Sequence, residues 1–313
     1  MVVPGSAASW HPVVGLIGPT ALGKTDIAIC LAERLGGEIV SADSMQVYTG
    51  LPLLTNQPSA AQLARVPHHL VAAVPPTCEF SVAQYARLAH AAMDDVSRRE
   101  RWVILEGGSG LYVRAALGGL SFGTPPDVEL RRRLEAQATG DTRGLAARLQ
   151  SLDPETAARV DLANPRRVVR ALEIVLTQGT PLSTAQRDRL WSGQTRYPHI
   201  LFALEAAREE LHRRSDERVD LMLARGLVDE VRHLRAAGTV SRTLAQAIGV
   251  REIGAYLDGT SSLEEAAAAI KTRTRRYVSR QLTWMRKLPD AARIPAGGSS
   301  PADVAANIAR RLI

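Results

Sequence analysis

Residues 18–25 read Gly18-Pro19-Thr20-Ala21-Leu22-Gly23-Lys24-Thr25, a complete GxxxxGK[ST] loop directly behind the apolar run Val13-Val14-Gly15-Leu16-Ile17. A buried strand that ends in a Gly-rich turn and opens a helix, here expected over residues 25–35, aims successive backbone N–H groups at one spot, where they cradle an anionic oxygen. Lys24 adds a point charge for the outer phosphate. The chain has 36 arginines and only three lysines, so a lysine here is not compositional drift, and the fork of an arginine would not fit the loop. Thr25 supplies the hydroxyl that holds Mg²⁺ in such loops.

With 313 residues, 45% apolar and 23% charged, the chain can bury one large core or two modest ones. No apolar stretch approaches the roughly 20 residues of a membrane span. Residues 1–12 lack the basic start and long apolar centre of a secretory signal, and Cys30 and Cys78 give neither a disulfide framework nor a metal-ligand spacing. A soluble cytoplasmic protein is the expectation. The formal charge of +7 suits a polyanionic partner, and residues 271–287 hold seven Lys or Arg and no acid. On a helix Arg273, Arg276, Arg280 and Lys287 share a face beside a stripe of Tyr277, Gln281, Trp284 and Leu288. Such a stripe reads either as a phosphate-contacting surface or as a solvated helix face.

Short apolar segments at 13–17, 38–41, 102–105 and 199–203 alternate with helical patterns at 25–35, 82–98, 208–224 and 227–236. This predicts an α/β fold: a P-loop NTPase-like parallel sheet with flanking helices. Four helical patterns at 130–138, 143–149, 154–160 and 165–176, with no strand candidate between them, predict an inserted all-helical subdomain over 118–195. The α/β core then comprises 1–117 and 196–313. Helices at 263–269 and 271–288 and a short helix after Ser299 are expected to end it.

Two further clusters follow strands. Ser41-Ala42-Asp43-Ser44-Met45-Gln46-Val47-Tyr48 ends the second, and Glu106-Gly107-Gly108-Ser109-Gly110-Leu111-Tyr112 the third. In an open α/β sheet ligands bind beyond the carboxyl ends of strands, so both belong beside the P-loop. Asp43 there coordinates Mg²⁺, serves as a general base, or caps a turn with Ser44. Ser109 offers a hydroxyl to the same crevice. These residues alone describe a phosphate-handling enzyme and leave small-molecule kinases open.

Together the clusters resemble the tRNA dimethylallyltransferases. GPTALGKT is close to that family's GPTAxGKT, SADSMQVY matches its second motif and GGSGLY its GG[ST]GLY. Val66-Pro67-His68-His69-Leu70, Asn164-Pro165-Arg166-Arg167-Val168-Val169-Arg170-Ala171-Leu172-Glu173, Gly226-Leu227-Val228-Asp229-Glu230-Val231 and Arg280-Gln281-Leu282-Thr283-Trp284-Met285-Arg286 extend the similarity, in family order, through about residue 290. The resemblance implies transfer of a dimethylallyl group from its diphosphate to N6 of the adenosine 3′ of the anticodon, in tRNAs reading codons that begin with U. The P-loop would hold the diphosphate, Arg214 and Arg218 would lie near it, and Mg²⁺ would be the cofactor. Asp43 would act as base and Ser109 at the reacting centre. Contacts to the anticodon stem-loop are implied for Asp43, Ser44, Met45, Gln46, Ser109, Arg131, Arg166, Arg167, Val168, Val169, Arg170, Gln246, Gly249, Arg251, Arg280, Gln281, Trp284 and Arg286, with the protein acting as a monomer. A prenyltransferase acting on free adenine nucleotides would need neither the insert nor the basic stripe, and a noncatalytic RNA-binding protein would not need intact Lys24, Thr25 and Asp43. The chain departs from the family over residues 49–58, at Val250 in place of a Tyr, and at Glu106 where an apolar residue is common; Glu106 could hold a metal-bound water or cap the turn.

Overall fold

Val13–Ile17, buried at every position, forms β1, the strand on which a six-stranded sheet in the order β3-β2-β4-β1-β5-β6 is built. The structure is a computed structural model; it describes residues 11–118, 127–178, 195–288 and 290–312, with only the backbone of Val128 and Gln178. The reading of the first ten residues and part of the helical insert, 119–126 and 179–194, falls outside them. The remaining strands are β2 Glu38–Ser41, β3 His68–His69, β4 Val103–Gly107, β5 His199–Glu205 and β6 Ala292–Pro295. Every pairing is parallel. β1, β2 and β4 are covered on both faces, which is why they read as continuous apolar runs.

Register decides what the sheet presents. Leu16 lies opposite Glu106, Ile17 opposite Gly107, and Ser41 opposite Glu106 from the other side. The carboxyl ends of β1, β2 and β4 therefore come level, and the three motif loops leave from one edge. Behind them the helix Lys24–Leu35 turns Ile27, Ala28, Ile29, Leu31 and Ala32 inward, and Val304, Ala305 and Ile308 of the helix Pro301–Ala309 join the same cluster. The helix Val82–Arg98 starts at a reciprocal cap in which Ser81 N–H donates to Gln84 Oε1 and Gln84 N–H to Ser81 Oγ.

Several features differ from expectation, the short helix Ala60–Leu63 and strand β3 among them. Residues 263–285 form one 23-residue helix, Leu263–Met285, opened by a Ser262/Glu265 capping box. Buried Ile270 carries its core face across the junction between the Ala-rich and the basic runs, where nothing breaks the helix. Helices Gly110–Leu117 and Val250–Leu257 are additional, each hidden behind glycines that are poor helix formers. β6, with Arg293 and Pro295, is an edge strand that shows no apolar run.

The chain divides into two compact units, residues 1–118 with 196–313, and residues 119–195. In the second, helices Val128–Gly140, Thr142–Leu152 and Pro154–Arg159 each start at an aspartate whose carboxylate accepts a backbone N–H: Asp127 from Leu130, Asp141 from Gly144, Asp153 from Thr156. Together with Pro165–Gln178 they enclose Leu134, Leu145, Leu149, Val168 and Leu172. Val168 and Val169, expected at the tRNA face, are buried in this core, so their side chains serve packing. Arg131 and Arg170 both pair with Glu173, at 2.6 and 2.9 Å, and the Glu173 side chain is 1% exposed. Arg166, Arg167 and Arg170 are exposed.

Glu173→Gln removes the charge shared by two guanidiniums while preserving shape. It is expected to lower stability by about 1–3 kcal/mol in urea denaturation of the whole protein. An unshifted midpoint would mean that solvent alone balances Arg131 and Arg170.

Candidate active site

The P-loop is held from several directions. Gly18 N–H donates to Gly107 O at 3.2 Å, Thr20 N–H to Gln281 Oε1 at 2.9 Å, and Lys24 Nζ to Pro19 O at 3.0 Å. Ala21 and Gly23 adopt left-handed φ values of 67° and 85°, the alternation that turns neighbouring amides toward a common anion. Between them Leu22 is buried, so it anchors the loop through its side chain and can meet an anion only through its backbone.

A cavity of about 680 Å³ opens beside this loop, lined by Thr20, Ala21, Gly23, Lys24, Thr25, Asp43, Ser44, Met45, Gln46, Glu106, Gly107, Gly108, Arg214, Arg218, Gln246, Tyr277, Arg280 and Gln281. Lys24, half-buried, lines it. Burial draws its ammonium below the ordinary lysine value, Glu106 and Asp43 oppose that shift, and Arg218 adds to it. Burial likewise draws the Arg218 guanidinium down, against the attraction of Asp43. Arg218 Nη2 donates to Thr20 Oγ1 at 2.7 Å, and its buried Nε has no partner among the described residues. The P-loop amides beyond Thr20, a lysine and an arginine with an unmatched donor fit a diphosphate. Arg214 also lines the cavity and is paired with Glu210 at 2.6 Å.

Asp43 Oδ1 accepts from Met45 N–H at 2.8 Å and Gln46 N–H at 3.3 Å; Oδ2 has no hydrogen-bond partner among the described residues. The carboxylate caps its turn with one oxygen and offers the other to a ligand. Glu106, 5% exposed, accepts from Thr25 Oγ1 at 3.2 Å. Burial pushes its carboxyl above the ordinary value; Lys24 and the Thr25 hydroxyl pull it back, whereas Asp43 and Asp26 add to the rise. Two hard oxygen donors, the Thr25 hydroxyl and the Glu106 carboxylate, suit Mg²⁺.

Several residues expected to touch RNA have internal partners instead. Gln281 is buried: beside its bond to Thr20 it donates from Nε2 to Gly108 O at 3.2 Å. Trp284, half-buried one turn on, packs on Gly110, where an added Cβ would fall 1.8 Å from the ring. Gln46 accepts from Ser41 Oγ and donates to Asn56 O, both at 3.0 Å. Gly249, buried with φ 110°, donates to Glu252 Oε2 and opens the helix Val250–Leu257. Ser109 stands one residue past the lining residue Gly108, at the start of Gly110–Leu117, and its hydroxyl caps nothing. Gln246, Arg251, Arg280 and Arg286 are exposed, Arg280 with its guanidinium 5.8 Å from the Tyr277 ring centroid. In the basic stripe Arg273 is tied to Glu252, so only Arg276, Arg280 and Lys287 of that face lack an acidic partner among the described residues.

Two positions escaped sequence reasoning. Glu230 accepts from Leu53 and Leu54 N–H at 3.0 and 2.6 Å, and Gln57 Nε2 donates to Gln46 O and Tyr48 O at 3.0 and 2.6 Å. They fix the divergent segment 51–57 against the Asp43 turn. Glu230 stands in the Gly226–Val231 motif, but no local pattern ties it to Leu54, 176 residues away.

A family model described as IPP transferase matches residues 46–288. The chain is 46% identical over 279 residues to "tRNA dimethylallyltransferase 1" of Citrifermentans bemidjiense, covering 89% of this chain and 90% of the relative. It is 43% identical over 276 residues to "tRNA dimethylallyltransferase" of Geobacillus thermodenitrificans, covering 88% and 87%. Among solved structures, the full-length tRNA isopentenylpyrophosphate transferase of Bacillus halodurans superposes with a TM-score of 0.71 at 35% identity, covering 96% of this chain and 97% of that one. A eukaryotic dimethylallyltransferase, described in crystallographic snapshots as acting on tRNA, gives 0.80 at 26% identity, covering 96% and 77%. With the fold, the P-loop and the cavity in place, these matches establish that the chain belongs to the IPP transferase family.

Proposed function

We propose that the protein is a tRNA dimethylallyltransferase. It transfers a dimethylallyl group from dimethylallyl diphosphate to N6 of the adenosine 3′-adjacent to the anticodon in tRNAs reading U-initial codons, releasing diphosphate. The observation that carries this reading is the meeting, in one cavity, of a P-loop, the unmatched Arg218 Nε and the free Asp43 Oδ2.

The P-loop amides, Lys24 and Arg218 bind the diphosphate and stabilise charge as the allylic C–O bond breaks. Thr25 and Glu106 would hold Mg²⁺, which supplies further neutralisation of the phosphate oxygens when bound. The adenine amine is a weak nucleophile, and its base must leave the anticodon stack to reach the cavity. Asp43 Oδ2 accepts a hydrogen bond from N6, fixes its direction and takes its proton as the N–C bond forms; orientation contributes more than proton removal. Arg276, Arg280, Arg286 and Lys287 hold RNA phosphates from the helix Leu263–Met285 and its end, and the helical insert adds Arg166, Arg167 and Arg170. The reading includes a monomer acting in the cytoplasm; no described helix is long and apolar enough to cross a membrane.

The test is incubation of purified protein with Mg²⁺, labelled dimethylallyl diphosphate and unmodified tRNA whose anticodon ends in A, followed by nucleoside analysis. Label in N6-dimethylallyladenosine is expected; label left on diphosphate, with folded protein bound to tRNA, would discard the transferase in favour of a small-molecule kinase. In the same assay Asp43→Asn should slow kcat by about 10²–10⁴-fold while tRNA affinity stays within roughly tenfold. Parallel loss of both would reject the division of roles. Arg218→Ala should raise KM for the diphosphate by roughly tenfold or more through loss of a charged hydrogen bond. Arg280→Ala should weaken tRNA binding and reduce its salt slope by about 1; an unchanged slope would remove Arg280 from the phosphate contacts.

A further inference from the structure

Glu106 is a carboxylate 5% exposed at the carboxyl end of β4, wedged between β1 and β2 by its register opposite Leu16 and Ser41. Burying such a charge is costly unless something compensates it. Among the described residues no guanidinium or ammonium approaches within ion-pair distance, for Lys24 donates to Pro19 O instead. The one hydrogen bond Glu106 receives comes from Thr25 Oγ1, at 3.2 Å, and the rest of its carboxylate borders the cavity.

We propose that Glu106 is a direct protein ligand for a divalent cation, so that Thr25 and Glu106 hold Mg²⁺ in the free protein before any diphosphate arrives. Neighbouring ligands of octahedral Mg²⁺, each at 2.0–2.1 Å, stand about 3 Å apart. The 3.2 Å between Thr25 Oγ1 and Glu106 Oε1 matches that edge, so a cation needs little rearrangement to replace the hydroxyl hydrogen bond with two metal bonds. P-loop proteins that bind Mg²⁺ with their loop hydroxyl and an acid from a nearby strand use the same pairing of donors. Water completes the shell at first, and diphosphate oxygens displace part of it. This deepens the proposed function, on which it rests for the identity of that anion. Its consequence is a changed order of events: the cation is resident, and the donor binds to a site already carrying positive charge.

The experiment is titration of the full chain with Mn²⁺, without donor or tRNA, following free Mn²⁺ by its electron paramagnetic resonance signal. One Mn²⁺ per chain, displaced by Mg²⁺, is expected; Glu106→Gln, checked for folding by circular dichroism, should weaken it by roughly tenfold or more, and Thr25→Val likewise. Wild-type protein that takes up Mn²⁺ only after inorganic diphosphate is added overturns the proposal, and that result needs no variant. Glu106→Gln binding Mn²⁺ as tightly as wild type overturns it too. Prenyl transfer measured on the same wild-type sample separates the two ideas. Turnover without Mn²⁺ uptake in the absence of diphosphate sinks the resident cation and leaves the transferase, whereas Mn²⁺ uptake through Glu106 without turnover leaves the metal site and sinks the transferase.

Discussion

One side-chain amide joins the parts of the active site. Gln281 accepts from the P-loop amide of Thr20 and donates to the carbonyl of Gly108, so the loop after β1, the loop after β4 and the helix Leu263–Met285 are fixed to each other through two bonds, one buried and one partly buried. Each would cost about 1–3 kcal/mol to leave unmade, which makes the geometry stiff. Gly108 has to be glycine for this, since a Cβ there would sit 2.3 Å from the Gln281 amide nitrogen. Trp284 repeats the contact at Gly110. The GGSG sequence is therefore shaped by a helix far along the chain as much as by any ligand.

That rigidity sets the electrostatics. With the loops fixed, Lys24, Arg218, Asp43 and Glu106 share one space, and the shifts of Lys24, Arg218 and Glu106 come from burial first and from their neighbours second. The two cations and two carboxylates nearest the P-loop offset one another, while Arg214, Arg225 and Arg280 add positive charge along the rest of the lining. A diphosphate would add negative charge, and the P-loop amides, Lys24, the unmatched Arg218 Nε and a cation beside Glu106 are the groups placed to answer it. On the proposed reading the P-loop stabilises a leaving group, a use that needs its amides and lysine but no transfer of a phosphoryl group.

Strand β1, the loop and the placing of Asp43 were legible because each is a local statement: a continuous apolar run, glycines where φ turns positive, an acid after a buried strand. β2 and the helix Val82–Arg98 fall where their periodicity puts them. What stayed hidden was the partner. A helical period shows that Gln281 and Trp284 share a stripe beside Arg280, but not that the stripe is covered by the loops of a sheet edge built hundreds of residues earlier. The same holds for Val168 and Val169, which lie next to exposed arginines in sequence and point into the core of the insert. β6 was invisible because an edge strand with Arg293 and Pro295 carries no apolar signal.

Charge shows the limit of composition most directly. The net +7 and the seven cations of residues 271–287 look like one broad RNA-binding surface. In the folded chain Lys271 pairs with Asp220, Arg273 with Glu252 and Arg275 with Asp216, all acids from other helices. These pairs fix the long helix in place and leave Arg276, Arg280, Arg286 and Lys287, exposed and without acidic partners among the described residues, to meet phosphate. An arginine whose charge an acid already neutralises adds little net positive charge to the RNA phosphates, so it displaces few of the cations condensed on them and adds little to the salt dependence. The strength of the RNA surface follows from the cations left over after folding, which number four on this helix and its end rather than seven, and not from the sum of charges along the chain.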